Sequence, residues 1–191
     1  PEMLAPSTPR IGLVFPLYFH GLPELVLRLV KRLHLAGVRY AFCLITRGSS
    51  SGQAVYQLQQ LLSRKGVKLR LAAKLTMPGN YIAEFDTLPE SKVQEQVAAA
   101  SQRTRQLARL IAAEEEAVEA DNAADIAAAQ QLYQPWLLDV QGKDRHFFVE
   151  ESCTSCGVCA GVCPVKNIFL ENGRPKWKHR CQQCFACIHF C

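Results

Sequence analysis

The chain has 191 residues, 49% of them apolar and 20% charged, and a net charge of +5. This profile fits one or two globular domains and lacks the Lys/Arg block of a nucleic-acid tail, the long apolar run of a membrane span and the segments of a secretory signal. Eight of the nine cysteines fall between Cys153 and Cys191, with only Cys43 before them, which disfavours a disulfide-stapled secreted fold and points to a metal site at the C-terminal end.

Charge divides the chain into three zones: residues 1–86 carry +7, residues 87–140 carry −5 and residues 141–191 carry +3. In the first zone, strand and helix signals alternate. Residues 11–15 form a short apolar run ended by Pro16 and predict a buried strand. Leu22 to Leu35 carries apolar residues at helical spacing, with Pro23 suited to the first turn and Gly37 to the stop. Residues 40–46 predict a second strand, in which Cys43 reads as a small buried hydrophobe. Gly52 to Lys65 predicts a second helix closed by Gly66, and Val67 to Leu75 a third strand. Lys68, Arg70 and Lys74 alternate along that strand and line an edge or a protein-docking face. Strands joined by helical crossovers predict an α/β fold with a parallel sheet covered on both faces.

The second zone is Ala-rich. It predicts a helix from Glu90 to about Glu119, with Glu114–Glu116 as a solvated face, and a second helical piece from Ala123 to Tyr133. Pro135, Gly142 and the charged residues 143–145 mark a boundary. The expected organisation is therefore an α/β domain over 1–86, a helical segment and linker over 87–142, and a small domain over 143–191. Strand-like pieces in the small domain are 146–149, 168–171 and 175–177, with Asn172-Gly173 as a hairpin turn. Its apolar content is too low to hold a core unaided, so metals or disulfides have to contribute.

That domain contains a repeat. Residues 153–163 and 181–191 both read C-x2-C-x2-C-x3-C, offset by 28 positions. This is the spacing of bacterial [4Fe–4S] runs, in which three thiolates wrap one cluster and the fourth reaches the neighbouring one. It predicts a first cluster on Cys153, Cys156, Cys159 and Cys191, and a second on Cys181, Cys184, Cys187 and Cys163. Zinc would require pairs of cysteines, not two runs of four. The motif resembles a bacterial-type two-[4Fe–4S] ferredoxin domain over about residues 145–191.

Two loops follow the strand ends of the first zone, where open α/β sheets bind ligands. The first runs over 16–23 and offers Pro16, Tyr18, Phe19 and His20; the second runs over 46–52 and offers Thr46, Arg47, Gly48, Ser49 and Gly52. Aromatic faces beside flexible polar backbone suit a planar heteroaromatic ligand, although the same aromatics also read as loop residues packed on a helix. The arrangement, the Met77–Tyr81 stretch and the order of domains resemble flavodoxin–ferredoxin fusion proteins. That resemblance implies a flavodoxin-like sheet whose third, fourth and fifth strands are 11–15, 40–46 and 67–75, with FMN between the two loops. The phosphate loop and first βαβ part of such a fold are expected outside this chain, which is read as a piece of a longer protein. The combined expectation is a cytoplasmic electron carrier that serves redox partner proteins and has no nucleic-acid partner. The alternatives are a flavin-dependent reductase of a small substrate and a cluster-stabilised interaction module.

Overall fold

The structure is a computed structural model that describes residues 3–48 and 52–191. It divides into two compact units, one ending at Tyr133 and the other formed by Gln134–Cys191.

The first unit is an α/β fold. Its sheet is built from β1 (Arg10–Pro16), β2 (Tyr40–Arg47), β3 (Leu69–Thr76) and β4 (Ala117–Val118), all parallel and in that order. The connecting helices are α1 (Glu24–Arg32), α2 (Ala54–Ser63) and α3 (Glu90–Ala112). Strand alternation sends successive side chains to opposite faces. Ala41, Cys43 and Ile45 therefore join Leu13, Val30, Val55 and Leu58 in a core under α1 and α2. Tyr40, Phe42 and Leu44 face the other way and pack with Leu71, Ala73, Leu75 and Leu107 under α3. A bulge between Ala41 and Phe42 of β2 skips Arg70 of β3, which puts both Leu69 and Ala72 on the α1–α2 face. Cys43 is fully buried, and burial pushes its thiol up to about 12.

The Ala-rich zone differs from its sequence expectation. The helix predicted to reach Glu119 ends at Ala112, and the chain turns at Glu114 (φ 55°) into β4, which joins the sheet beside β3. Three successive glutamates at a helix C-terminus oppose its dipole. Released from the helix, they meet cations: Glu114 pairs with Arg10 (2.6 Å), and Glu116 pairs with Lys68 (2.7 Å) and Arg70. The acidic triplet is thus not a helix face, and Lys68 and Arg70 share the single Glu116 carboxylate beside β4.

Asp121 follows β4 and is the buried member of this charge pattern. Its Oδ1 lies 2.5 Å from Lys74 Nζ, and its Oδ2 accepts the Tyr56 N–H (2.9 Å) in the first turn of α2. Helix α2 has no side-chain cap of its own, so a carboxylate 65 positions away supplies the negative group its N-terminus favours. Helix α4 (Ala123–Asp139) runs beyond the predicted Tyr133 and continues through Pro135. On its first-unit stretch, Ala129 and Tyr133 are buried four positions apart, and the Tyr133 hydroxyl donates to the Leu22 carbonyl (2.5 Å).

The second unit contains the end of α4, a 3-10 helix (Val140–His146), α5 (Val158–Val162), the antiparallel pair β5 (Ile168–Glu171) and β6 (Arg174–Trp177), and α6 (Ala186–His189). The hairpin turn is as predicted: Asn172 (φ 50°) and Gly173 (φ 77°) both occupy the left-handed region. The strand predicted over 146–149 does not form. His146 closes the 3-10 helix and Phe147 packs on Trp177 and Phe185 instead, with ring centroids 6.1 Å apart in each pair. No helix among the described residues is long and apolar enough to cross a membrane.

Replacing Asp121 with Ala strips the α2 N-terminus of its acceptor and leaves Lys74 without its carboxylate. The expected loss is about 2–3 kcal/mol, read from urea unfolding of the first unit by far-UV circular dichroism. A loss under roughly 0.5 kcal/mol, the size of an exposed pair, would contradict this role.

Candidate metal centre

The two cysteine runs share one backbone path. Ser155 and Gly157 flank Cys156 with φ of 62° and 76°, and Gln183 and Phe185 flank Cys184 with φ of 52° and 57°. The pairs are related by the same 28-residue offset as the cysteines, and so are the starts of α5 at Val158 and α6 at Ala186. Left-handed residues on both sides of a cysteine reverse the chain twice within a few positions, which lets nearby thiols face a common centre. For Phe185 the conformation is costly, since a bulky side chain rarely adopts it. Its ring is buried nonetheless, against Phe147.

Backbone N–H groups point at sulfur. Gln183 N donates to Cys181 Sγ and Asn167 N donates to Cys163 Sγ, each at 3.2 Å. At Cys156 the Val158 N–H and then the Thr154 hydroxyl hold the thiol below its ordinary pKa. Such donors stabilise a thiolate, the form that binds metal.

The thiols fall into two sets. Cys163, Cys181, Cys184 and Cys187 line one cleft, walled by Phe147 and Trp177. Burial pushes Cys187 up to about 11, and Cys181, Cys184 and Cys163 each raise it further. Cys181 is also pushed up to about 11, first by burial. In the other set, Cys159 is raised by burial and then by Cys156 and Cys191. In the cleft, the three leading cysteines of the second run are thus accompanied by Cys163, the last of the first run, and in the other set Cys191 acts on Cys159 together with Cys156. All nine cysteines are free thiols. Among the described residues no three Cys, His, Asp or Glu groups close on a single point as they would around one ion. Four thiols lining one cleft, two of them met by backbone N–H donors, are the ligand complement of a [4Fe–4S] cluster.

A buried carboxylate braces this arrangement. Asp144 is 2% exposed; it accepts the Asn167 amide N–H (2.7 Å) and lies 2.6 Å from His179 Nδ1. The Asn167 side-chain carbonyl accepts the Arg180 N–H (2.7 Å) and its main-chain carbonyl the Lys178 N–H (2.9 Å). One network thus fixes the residues just after Cys163 and just before Cys181. In the sequence, Asp144 reads as part of a charged boundary and His179 as a surface residue. Neither position carries a local sign of burial; only their distance from the cysteine runs could have drawn attention to them.

In the first unit, the two loops named from the sequence do meet. Pro16 lies opposite Thr46 in the sheet, and the Leu17 N–H donates to the Thr46 carbonyl (2.7 Å). Tyr18 and Gly21 exchange two backbone hydrogen bonds (3.0 and 2.8 Å) around Phe19 and His20, both with positive φ, so the first loop is a tight turn. Its His20 carbonyl accepts the Gln53 N–H (2.8 Å). A Cβ on Gly52 would lie 2.4 Å from that oxygen, so Gly52 is fixed by the close approach of the two loops. Phe19 meets Tyr81 edge-on, with centroids 6.0 Å apart. Arg47 ends β2 and Gly48 follows it, while Ser49 lies outside the described residues.

Residues 146–169 match the family model of the 4Fe-4S binding domain. A curated relative, "Ferredoxin 7Fe" of Hydrogenibacillus schlegelii, is 36% identical over 44 residues, which are 22% of this chain and 56% of that protein. The chain thus spans about half the length of the curated relative it matches. No solved structure matches. The domain match covers the first cysteine run and supports binding of a 4Fe–4S cluster and iron–sulfur electron transfer.

Replacing Asp144 with Ala leaves the Asn167 amide and His179 Nδ1 without their shared acceptor. It should cost roughly 2 kcal/mol in the second unit and speed iron loss to a chelator several-fold. Iron retention equal to the wild type would show that the network does not support the cysteines.

Proposed function

We propose that the chain is an electron carrier with two [4Fe–4S] clusters, one on Cys153, Cys156, Cys159 and Cys191 and the other on Cys181, Cys184, Cys187 and Cys163. The single observation that carries the reading is the company Cys163 keeps: it lines the same cleft as the three leading cysteines of the second run. The shared left-handed turns in both runs support a second cluster equivalent to the first. Each such cluster supplies one electron at a time.

The chain's own residues tune that exchange. The N–H donors at Cys163 and Cys181 favour negative charge on sulfur, while the aromatic wall and burial of the second set limit water. Cys156 and Cys191 are exposed, so the first set offers the approach for redox partner proteins.

The proposal also places an FMN at the C-terminal strand ends of the α/β unit. What supports this is the position of the two loops at the C-terminal ends of β1 and β2, where Phe19 and Tyr81 meet edge-on. A flavin there would exchange single electrons with the clusters and electron pairs with a partner. The domains proposed with it are a flavodoxin-like one over 1–86, a helical segment and linker over 87–142 and an electron-transfer module over 143–191.

Anaerobically purified protein should contain about eight irons per chain, and Cys156→Ala should retain about half of them. Iron and acid-labile sulfide analysis with an absorbance spectrum reads both. Four irons, zinc, or the seven irons named for the relative would contradict two complete clusters.

A further inference from the structure

The β5–β6 hairpin has two faces of different character. Ile168 and Trp177 stand opposite each other in the ladder, and both line the cleft of Cys163, Cys181, Cys184 and Cys187. The next pair, Phe169 and Lys176, points the other way by strand alternation, and both are exposed. Lys178 belongs to this outer face, because its Nζ lies 5.6 Å from the centroid of the Phe169 ring. Arg180, two positions further on, is exposed as well. At the turn end of the same face Glu171 stands opposite Arg174, so that end adds no net charge. Within the second unit the ion pairs among the described residues are Lys143 with Asp139 and His179 with Asp144, so the row at 176, 178 and 180 keeps its charge. The basic strand β3 is treated differently: Arg70 and Lys74, and Lys68 just before it, all meet carboxylates of the chain itself. Lysines on an edge strand also keep other strands away. That purpose explains the charges but not an exposed phenylalanine held among them. An apolar ring at the centre with charge around it is the arrangement of a docking patch, in which the ring is covered and the charges steer.

We infer that the outer face of this hairpin docks an acidic redox protein, one whose own centre is ringed by exposed carboxylates, and brings it to the second cluster. This rests on the reading that Cys181, Cys184, Cys187 and Cys163 hold a cluster. The hairpin is then the wall between cluster and partner, with Ile168 and Trp177 on the cluster side and Phe169, Lys176 and Lys178 on the partner side. The partner's carboxylates meet Lys176, Lys178 and Arg180, and an apolar group of the partner covers Phe169. One electron leaves the reduced cluster and reduces the partner's centre; no proton or group moves with it. A row of three cations is short for a nucleic-acid track, and it surrounds a ring on the back of a cysteine cleft, which favours a redox protein over a polyanion. Attraction of this kind acts chiefly on the rate of encounter and fades as salt rises.

The test compares three full-length proteins purified anaerobically: wild type, Lys176→Glu/Lys178→Glu, and Arg105→Glu/Arg109→Glu, which makes the same change of charge at exposed positions of α3. Iron is counted first. Each protein is then reduced with dithionite, freed of the excess and mixed by stopped flow with an acidic plastocyanin or a basic cytochrome c, from low to high ionic strength. We expect transfer from the wild type to plastocyanin to slow steeply with salt. The hairpin variant should be about tenfold slower than wild type at low salt, with a flattened salt dependence, and should not slow towards cytochrome c. The α3 variant should stay within about twofold of wild type. Should charge reversal lower the iron content, Lys176→Gln/Lys178→Gln reads the same effect at smaller amplitude. Equal plastocyanin rates in iron-replete wild type and hairpin variant would overturn the inference while leaving the two-cluster reading intact. An equal loss in the α3 variant would do the same, by reducing the effect to overall charge. Binding of a single-stranded oligonucleotide that is lost in the hairpin variant, with plastocyanin transfer unchanged, would assign the face to a polyanion and overturn the inference too. A wild-type protein with four irons would overturn the two-cluster reading itself, and the docking face with it.

Discussion

Ionised thiols gathered in a small volume repel one another, and the second unit is organised around that repulsion. Cys187 is pushed up to about 11, with Cys181, Cys184 and Cys163 all contributing after burial. A few N–H donors offset part of the cost, but they cannot offset four full charges. Under the two-cluster proposal, iron would supply the missing positive charge and would couple cluster binding to folding in a unit of this size. Its buried apolar residues are few: Trp136, Val140, Ile168 and Phe185, with Cys163 and Cys181 beside them. Hydrophobic burial on that scale does not hold a domain together alone.

The polar parts of the unit serve the same end. Asp144 has no ion-pair role at a surface; it is a buried hinge post to which the segments flanking Cys163 and Cys181 are tied. A buried carboxylate close to negative sulfurs is unfavourable electrostatically, and it adds to the upward push on Cys181. Its retention makes sense through the donors it satisfies, because those donors fix the backbone that carries two cysteines of one set. The first unit handles charge differently. Its basic strand β3 is matched by the acidic flank of β4, and the one deeply buried carboxylate there, Asp121, caps a helix it does not belong to.

Much of this was legible in the sequence, for identifiable reasons. β1, β2 and β3 and the helices between them follow from apolar periodicity, and the Asn172-Gly173 hairpin from the conformations those two residues tolerate. The cysteine spacing marked the site by chemistry alone. What escaped was non-local. β4 is two residues long and exposed, so it has no apolar pattern to read; the charges that pair with its flank lie 46 to 48 positions away, on β3 and just before it. Residues 146–149 have strand composition but no partner strand, and Phe147 finds aromatic rings instead. Asp144 matters through the segments it ties together around Cys163 and Cys181, which spacing along the chain does not reveal. Gly52, expected as a ligand-loop residue, is required by the contact with His20 itself.

The central claim is that each cysteine run completes the other's cluster. It is tested most directly by substituting the last cysteine of the first run, Cys163→Ala, and recording electron paramagnetic resonance spectra of the reduced protein beside Cys156→Ala and Cys184→Ala. Crossed ligation predicts that Cys163→Ala disturbs the cluster that Cys184→Ala disturbs and leaves the signal lost in Cys156→Ala intact. A Cys163→Ala spectrum that matches Cys156→Ala would show that each run binds its own cluster, and would contradict the account.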